Sequence, residues 1–266
     1  RMPTLCGLRR RGYTPTAVRS FITRIGVSKV TSTVEYSFLE HCLREELNEK
    51  APRRMAVLHP VKLIVTNYPE GRSETFPVEN NNLDEAAGTR DVTFSRELWI
   101  EEEDFMEEPV KKYNRLYPGN EVRLKGAYIV KCTGCEKDET GRVTAITCEY
   151  DPETQGGDAP DGRKVRGTIH WVDAANCADA EIRLYDNLFS DPEPDAAEDF
   201  LACLNPNSLE ILTGCKVERA LEAAKAPESF QFLRTGYFAV DSVDSRPDHL
   251  VFNRAVALKD SFKPKA

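Results

Sequence analysis

Three short clusters of cations hold the side chains of this sequence best suited to recognition chemistry: Arg9-Arg10-Arg11, then Lys111-Lys112-Tyr113-Asn114-Arg115, then Arg123 with Lys125. A guanidinium is a planar fork that makes two parallel hydrogen bonds to a base edge or a phosphate, whereas lysine offers a point charge. Tyr113, set inside the second cluster, is the kind of ring on which an unpaired base stacks. A solvated helix end and a solvated strand face would carry the same residues, so the clusters alone leave both readings open. The first cluster belongs to a longer block. No acidic side chain precedes Glu35, and Arg1, Arg9, Arg10, Arg11, Arg19, Arg24 and Lys29 all fall before it. A one-signed block on a chain whose formal charge is -8 points to a polyanionic partner met by only part of the surface.

Catalytic patterns do not emerge. There is no Gly-rich phosphate loop between a strand and a helix, no GxSxG elbow and no HExxH helix, and the surroundings of Gly12, Gly26 and Gly119 lack the donors a triphosphate needs. His41, His59, His170 and His249 lie far apart and read as surface or core residues. Of the eight cysteines only Cys132 and Cys135 are close, and no second pair completes four metal ligands, so reduced thiols and no metal site are expected. Hydrophobic residues at 40% and charged residues at 30% fit a globular protein. No apolar run is long enough for a membrane span and no leader pattern opens the chain, so a cytoplasmic site of action and no membrane partner are expected.

These side chains need elements to hold them. Thr14 as N-cap, Pro15 at the first helical position, Val18, Phe21, Ile22 and Ile25 on one face and Gly26 beyond predict a helix over 14–25. A second helix is expected to open with a capping box, Ser32 with Glu35, and to run toward Pro52. The cations of the opening would lie on the loop before the first helix and on its polar face. From Arg54 the periodicity becomes alternating, with Val61, Leu63 and Val65 on one face. Residues 122–131 read as one strand, which would place Arg123 and Lys125 side by side. Further strands are expected near 142–150, 168–172, 181–189, 208–217, 230–241 and 250–258, with loops at 151–163 and 190–199. The acidic runs, Glu101–Glu108 among them, read as solvated faces.

The opening from Arg1 to Thr14 closely resembles the segment that follows the KMSKS-type loop of glutaminyl-tRNA synthetases. The resemblance continues through Ala51–Val57, Phe94–Ile100, Gly119–Leu124, Asp161–Val165, Ile169–Val172, Glu181–Asp186, Phe230-Gln-Phe to Gly236-Tyr-Phe238, and Phe252-Asn-Arg. It covers essentially the whole chain, while the family's HIGH-type and KMSKS-type ATP-binding motifs would precede Arg1. The resemblance implies a C-terminal, anticodon-binding portion, inactive by itself, without a cofactor of its own; ATP and magnesium would serve the complete enzyme. It implies a mainly β chain, with a helical subdomain at 1–50 and two ribosomal protein L25-like antiparallel β-barrels. The proximal barrel would comprise 51–110 and 207–266, the distal one 111–206.

Residue by residue, the resemblance implies that Arg53, Gln231 and Arg234 hold the middle anticodon base. Arg115, with Lys112 and Asn114, would read the third, and Arg123 with Lys125 the first. Arg9, Arg10, Arg11, Lys29 and Glu35 would make other tRNA contacts, and Asn80, Asn81 and Asn82 lie in a loop approaching the anticodon. Lys112, Asn114, Lys125 and Leu233 depart from the usual glutamine, lysine, arginine and glutamate, and Lys125 in particular exchanges a two-pronged donor for a point charge suited to phosphate. Trp171 and His170 are expected in the core. The partners implied are the glutamine tRNA and the protein's own N-terminal catalytic domain, in a monomer. The rival readings are an archaeal or eukaryotic-type glutamyl-tRNA synthetase, disfavoured by Gln231 and the Ile-His-Trp-Val run, and a non-enzymatic RNA-binding barrel protein.

Overall fold

Thr4 opens a helix where a loop was expected: its hydroxyl accepts from Gly7 N and caps α1, Leu5–Arg11. The computed structural model describes residues 4–30, 33–191 and 193–259, so Arg1 lies outside the described residues. α1 ends at Gly12, whose φ of +108° is the left-handed conformation that glycine tolerates, and a Cβ there would stand 2.5 Å from Ala239 Cβ. α2, Pro15–Ile25, has the expected ends, with Thr14 Oγ1 accepting from Ala17 N and Gly26 beyond the last turn. Its apolar face is only partly covered: Val18 and Phe21 pack against the core, while Ile22 and Ile25 are exposed.

α3, Tyr36–Lys50, begins later than expected; Glu35 stands at its cap position without a side-chain cap bond, and Ser32 lies outside the described residues. Leu39, Leu43 and Leu47, at helical spacing, meet Tyr13, Ala17, Tyr237, Ala255 and Val256 in one core cluster. That core fixes the helices against the last strands of the chain.

The strands, in chain order, are β1 (Arg53–Arg54), β2 (Ala56–Val57), β3 (Pro60–Val65), β4 (Glu74–Glu79), β5 (Thr89–Phe94), β6 (Glu97–Glu101), β7 (Glu121–Leu124), β8 (Ile129–Lys137), β9 (Val143–Asp151), β10 (Thr168–Ile169), β11 (Val172–Asp173), β12 (Cys177–Tyr185), β13 (Leu209–Glu218), β14 (Ser229–Phe232), β15 (Gly236–Val240) and β16 (Leu250–Ala257). The protein is mainly β with a helical start, and its strands form two barrel-like sheets, one nearly closed and one a half-barrel, with β4 and β5 paired apart from both. The pairing is not antiparallel throughout. β3 with β9, β7 with β10 and β12 with β16 run parallel, each pair separated in sequence by enough intervening chain to make the crossover.

Two compact units emerge, one of Arg1–Arg53, Ala180–Thr213 and Ala223–Ala266, the other of Arg54–Asp179 and Gly214–Glu222. The boundaries expected at 110 and 206 fall elsewhere, because β3 pairs with β6 on one side and with β9 on the other, so residues on both sides of 110 share one sheet. The helical segment is likewise no separate subdomain, since α3 packs on β14 and β16. The single strand expected over 122–131 is a hairpin: Gly126, at φ +75°, turns the chain between β7 and β8. In the second unit Trp171 is fully buried and His170 nearly so, as core residues. Among the described residues no helix is long and apolar enough to cross a membrane.

Candidate nucleic-acid interface

The opening cations divide into structural and exposed sets. Arg11 is 4% exposed; it donates to Arg254 O, pairs with Glu40 at 3.7 Å and lies over the rings of Tyr13 and Tyr185. Arg10 grips Asp241 with two bonds, Nε to Oδ2 at 2.9 Å and Nη2 to Oδ1 at 3.1 Å, and reaches Asp244 at 2.7 Å. Asp241 also accepts from Asn253 Nδ2 and from the amides of Val243 and Asp244. Burial by itself would push the Asp241 pKa up, but these donors outweigh it and hold the carboxyl at about 2. Arg24 pairs with Glu45 at 2.7 Å. Thus Arg10 and Arg11, expected to face a polyanion, are consumed inside the first unit, because a cation on a helix that docks against the core meets its partner there. Arg9, Arg19, Lys29 and Glu35 remain exposed.

Also in the first unit, two of the three residues expected to share one base, Arg53 and Gln231, are drawn together by β14 lying beside β1. Gln231 N donates to Pro52 O at 2.9 Å, which brings Gln231 alongside Arg53. Arg53 is 5% exposed; its guanidinium donates to Ala51 O at 2.7 Å and to Asn48 O at 2.6 Å at the end of α3. Tyr237 Oη donates to Asn48 Oδ1 and accepts from Gln231 Nε2, linking three side chains beside the Asn48 carbonyl that Arg53 holds. Burial draws the Arg53 pKa below the ordinary arginine value, against a smaller opposite pull from Tyr237. Arg234 sits at the exposed tip of the β14–β15 hairpin, two residues past the strand, with φ +68°. Asn48 and Tyr237 were not picked out from sequence, and only the Gly236-Tyr-Phe238 segment of the resemblance touched either.

In the second unit, Arg115 is held by acidic residues. Its Nη1 reaches Glu103 O at 3.1 Å, Glu103 Oε1 at 2.9 Å and Asp104 Oδ1 at 3.1 Å. Asp104 is fully buried and Glu101 is 5% exposed, so the run Glu101–Glu108 is not simply a solvated face. Glu101 accepts from the amides of Leu58 and His59; burial raises its pKa, but His170 and those amides outweigh this and leave it below the usual carboxylate value. Periodicity cannot reveal such a role, since the partners are distant in sequence. Arg123 donates to Gly157 O and pairs at 2.9 Å with Asp158, whose side chain is wholly exposed. Lys125 lies in the turn after β7, its side chain exposed and its carbonyl accepting from Trp171 Nε1, so it is not the neighbour of Arg123 on one strand face.

Lys112 and Asn114 are exposed in the segment leading to Arg115. Asn114 O presses so closely on Gly167 that a Cβ at Gly167 would overlap it. Lys112 has φ +70°, and among the described residues Lys112 and Arg234 are the two non-glycine residues in the left-handed region. Of the three asparagines, Asn80 accepts from Arg54 and donates to Ala87 O, Asn81 is buried with Oδ1 bonded to Leu83 N, and Asn82 is exposed. The first two therefore build the loop.

Among the described residues no group of three or more His, Cys, Asp or Glu could hold a metal ion. All eight cysteines are free thiols, with Cys132 on β8 directly opposite Cys148 on β9. What the arrangement offers is a set of forked and point-charge donors, several already seated on carboxylates or carbonyls.

Two family models match the chain, both described as the anticodon-binding domain of class I (E and Q) tRNA synthetases, over residues 51–151 and 168–241. Among similar proteins is the glutamine–tRNA ligase of Clostridium perfringens, 58% identical over 266 residues, which span 100% of this chain and 48% of the relative. Those of Clostridium kluyveri and Bradyrhizobium diazoefficiens are 53% and 54% identical, over 99% and 98% of this chain and 48% and 47% of the relatives. The chain spans about half the length of the relatives it matches.

Proposed function

Because the chain belongs to the family of class I (E and Q) tRNA synthetase anticodon-binding domains, we propose that it is the anticodon-reading part of a glutamine–tRNA ligase and binds the glutamine tRNA. The observation that carries this reading is the pair of family matches, lying within a similarity to glutamine–tRNA ligases that runs the whole length of the chain. The cations fit the task. Arg53 with Gln231 and Arg234 would take the middle base, Arg115 with Lys112 and Asn114 the third, Arg123 the first, and Lys125 a phosphate. Splayed anticodon bases leave their stack only where buried donors replace the stacking they give up, and a wrong base leaves a donor unpaired. Arg9, Lys29 and Glu35 would touch the tRNA elsewhere.

In the complete enzyme, a cytoplasmic monomer, this part would supply specificity and positioning. The joining of glutamine to tRNA, with ATP and magnesium, would fall to an N-terminal catalytic domain. The test is binding of the glutamine tRNA against the same tRNA with a swapped anticodon. The chain should prefer the former, and Arg115→Ala should weaken the former by about 1 to 3 kcal/mol more than the latter. Equal loss on both would reduce Arg115 to a phosphate contact, and absence of any preference in the unaltered chain would defeat the reading.

A further inference from the structure

The second unit contains an open cavity of about 540 Å³, within the roughly 300–1,000 Å³ range of small-ligand sites. It adjoins the two arginines of this unit expected to read bases, since Asn114 and Asn120 line it on the Arg115 side and Glu121 lines it two residues along β7 from Arg123. Asn120 Nδ2 donates to Arg115 O at 2.6 Å, and Gly167 O, next to the lining Arg166, accepts from Arg123 N at 2.8 Å. Its wall also holds Lys131, Lys164 and Arg166, none of which received a role from the resemblance.

The ionic pattern around the cavity is lopsided. Arg163 takes three carboxylates, Glu121 at 3.0 Å, Asp151 at 2.5 Å and Asp161 at 2.8 Å. Glu121 stands directly opposite Lys131 in the β7–β8 register, yet it is turned to Arg163. Lys131, Lys164 and Arg166 are exposed, and none of the three makes an ion pair among the described residues. By contrast Arg115 and Arg123 are both already seated on carboxylates. Three unneutralised cations lining one concave wall attract an anion, and the one carboxylate in that wall, Glu121, is paired with Arg163. Tyr117 completes the wall; it is half-buried and makes no ring contact among the described residues, and a tyrosine ring is a surface on which an unpaired base can stack.

We propose that this cavity takes one unstacked nucleotide of single-stranded RNA, its phosphate among Lys131, Lys164 and Arg166 and its base against Tyr117. The proposal rests on the anticodon reading above for the source of that nucleotide. It adds a site read by charge and stacking, and therefore indifferent to which base enters, beside the arginines that choose between bases.

The test measures binding of the glutamine tRNA and of its anticodon-swapped form to the purified chain carrying Lys131→Ala, Lys164→Ala and Arg166→Ala together, and separately Tyr117→Leu and Tyr117→Phe. Circular dichroism confirms the fold of each variant. The triple variant should bind both tRNAs about tenfold more weakly, with the slope of log affinity against log salt falling by about 0.7 for each phosphate no longer neutralised. Tyr117→Leu should also weaken binding of both about tenfold, and Tyr117→Phe, which keeps the ring face, should restore it. A triple variant that binds like the unaltered chain, while the unaltered chain still prefers the matching anticodon, would overturn the cavity and leave the anticodon reading standing. An unaltered chain with no anticodon preference would overturn that reading, and the assignment of the nucleotide with it.

Discussion

Replacing Arg10 by alanine separates a structural cation from an RNA contact. The carboxylate it leaves behind, Asp241, is 1% exposed and would keep Asn253, two amides and a more distant Arg183 at 3.6 Å. Removing one partner of a buried ion pair typically destabilises by about 3–5 kcal/mol, because the other charge is stranded. Four remaining donors soften that here, so the loss should be about 2–3 kcal/mol in the first unit. With a urea m-value of about 2 kcal/mol/M, this moves the midpoint by roughly 1 M. The chain forms two compact units, so each unfolding transition is to be assigned to one of them. Both tryptophans, Trp99 and Trp171, lie in the second unit and report on it by fluorescence. Hydrogen exchange at β15 and β16 reports on the first. Arg10→Ala should speed exchange there and leave the tryptophan transition in place, and Arg9→Ala should change neither. An Arg10→Ala chain as stable as the original but poor at binding tRNA would refute the structural assignment.

The same carboxyl sets an acid limit. Its pKa of about 2 lies below the ordinary 3.8, so its contribution to stability is complete above about pH 4 and is lost as pH falls toward 2. Acid titration followed by exchange at β16 should show a loss of roughly 2 kcal/mol in that window, and Asp241→Asn should flatten it. Asp158→Asn should raise tRNA affinity about two- to fivefold, because RNA approaching Arg123 must displace this exposed carboxylate. Unchanged or weaker binding in a filter assay would mean that Arg123 keeps its pair when RNA is bound.

Local signals in the sequence were sufficient where they were short-range. The cap at Thr14, the alternation at Val61, Leu63 and Val65, and most strands appear close to where periodicity placed them. Local features were missed where the pattern misled: α1, whose cap Thr4 is followed by three arginines that suggested solvent; the β7–β8 turn, where unbroken alternation concealed Gly126; the turn that splits the strand expected over 230–241 into β14 and β15; and the β4–β5 hairpin. Long-range pairing was illegible for a different reason. Nothing near Asp104 announces Arg115, nothing near Arg10 announces Asp241, and the division into units follows from β3 joining β6 to β9. Arg53 and Gln231 could be brought together on paper only through a resemblance, since their meeting depends on β14 lying beside β1.

The left-handed backbone at Lys112 and Arg234 bears on any attempt to make this protein more heat-tolerant. Routine stabilisation replaces such residues by glycine or asparagine and relieves strain of order 1 kcal/mol at each. Here the same two exchanges would strip a cation from each of the two units. On the anticodon reading proposed above, a screen scored on melting temperature alone would therefore select steadily against recognition, and its most durable products would be the least able to tell one anticodon from another.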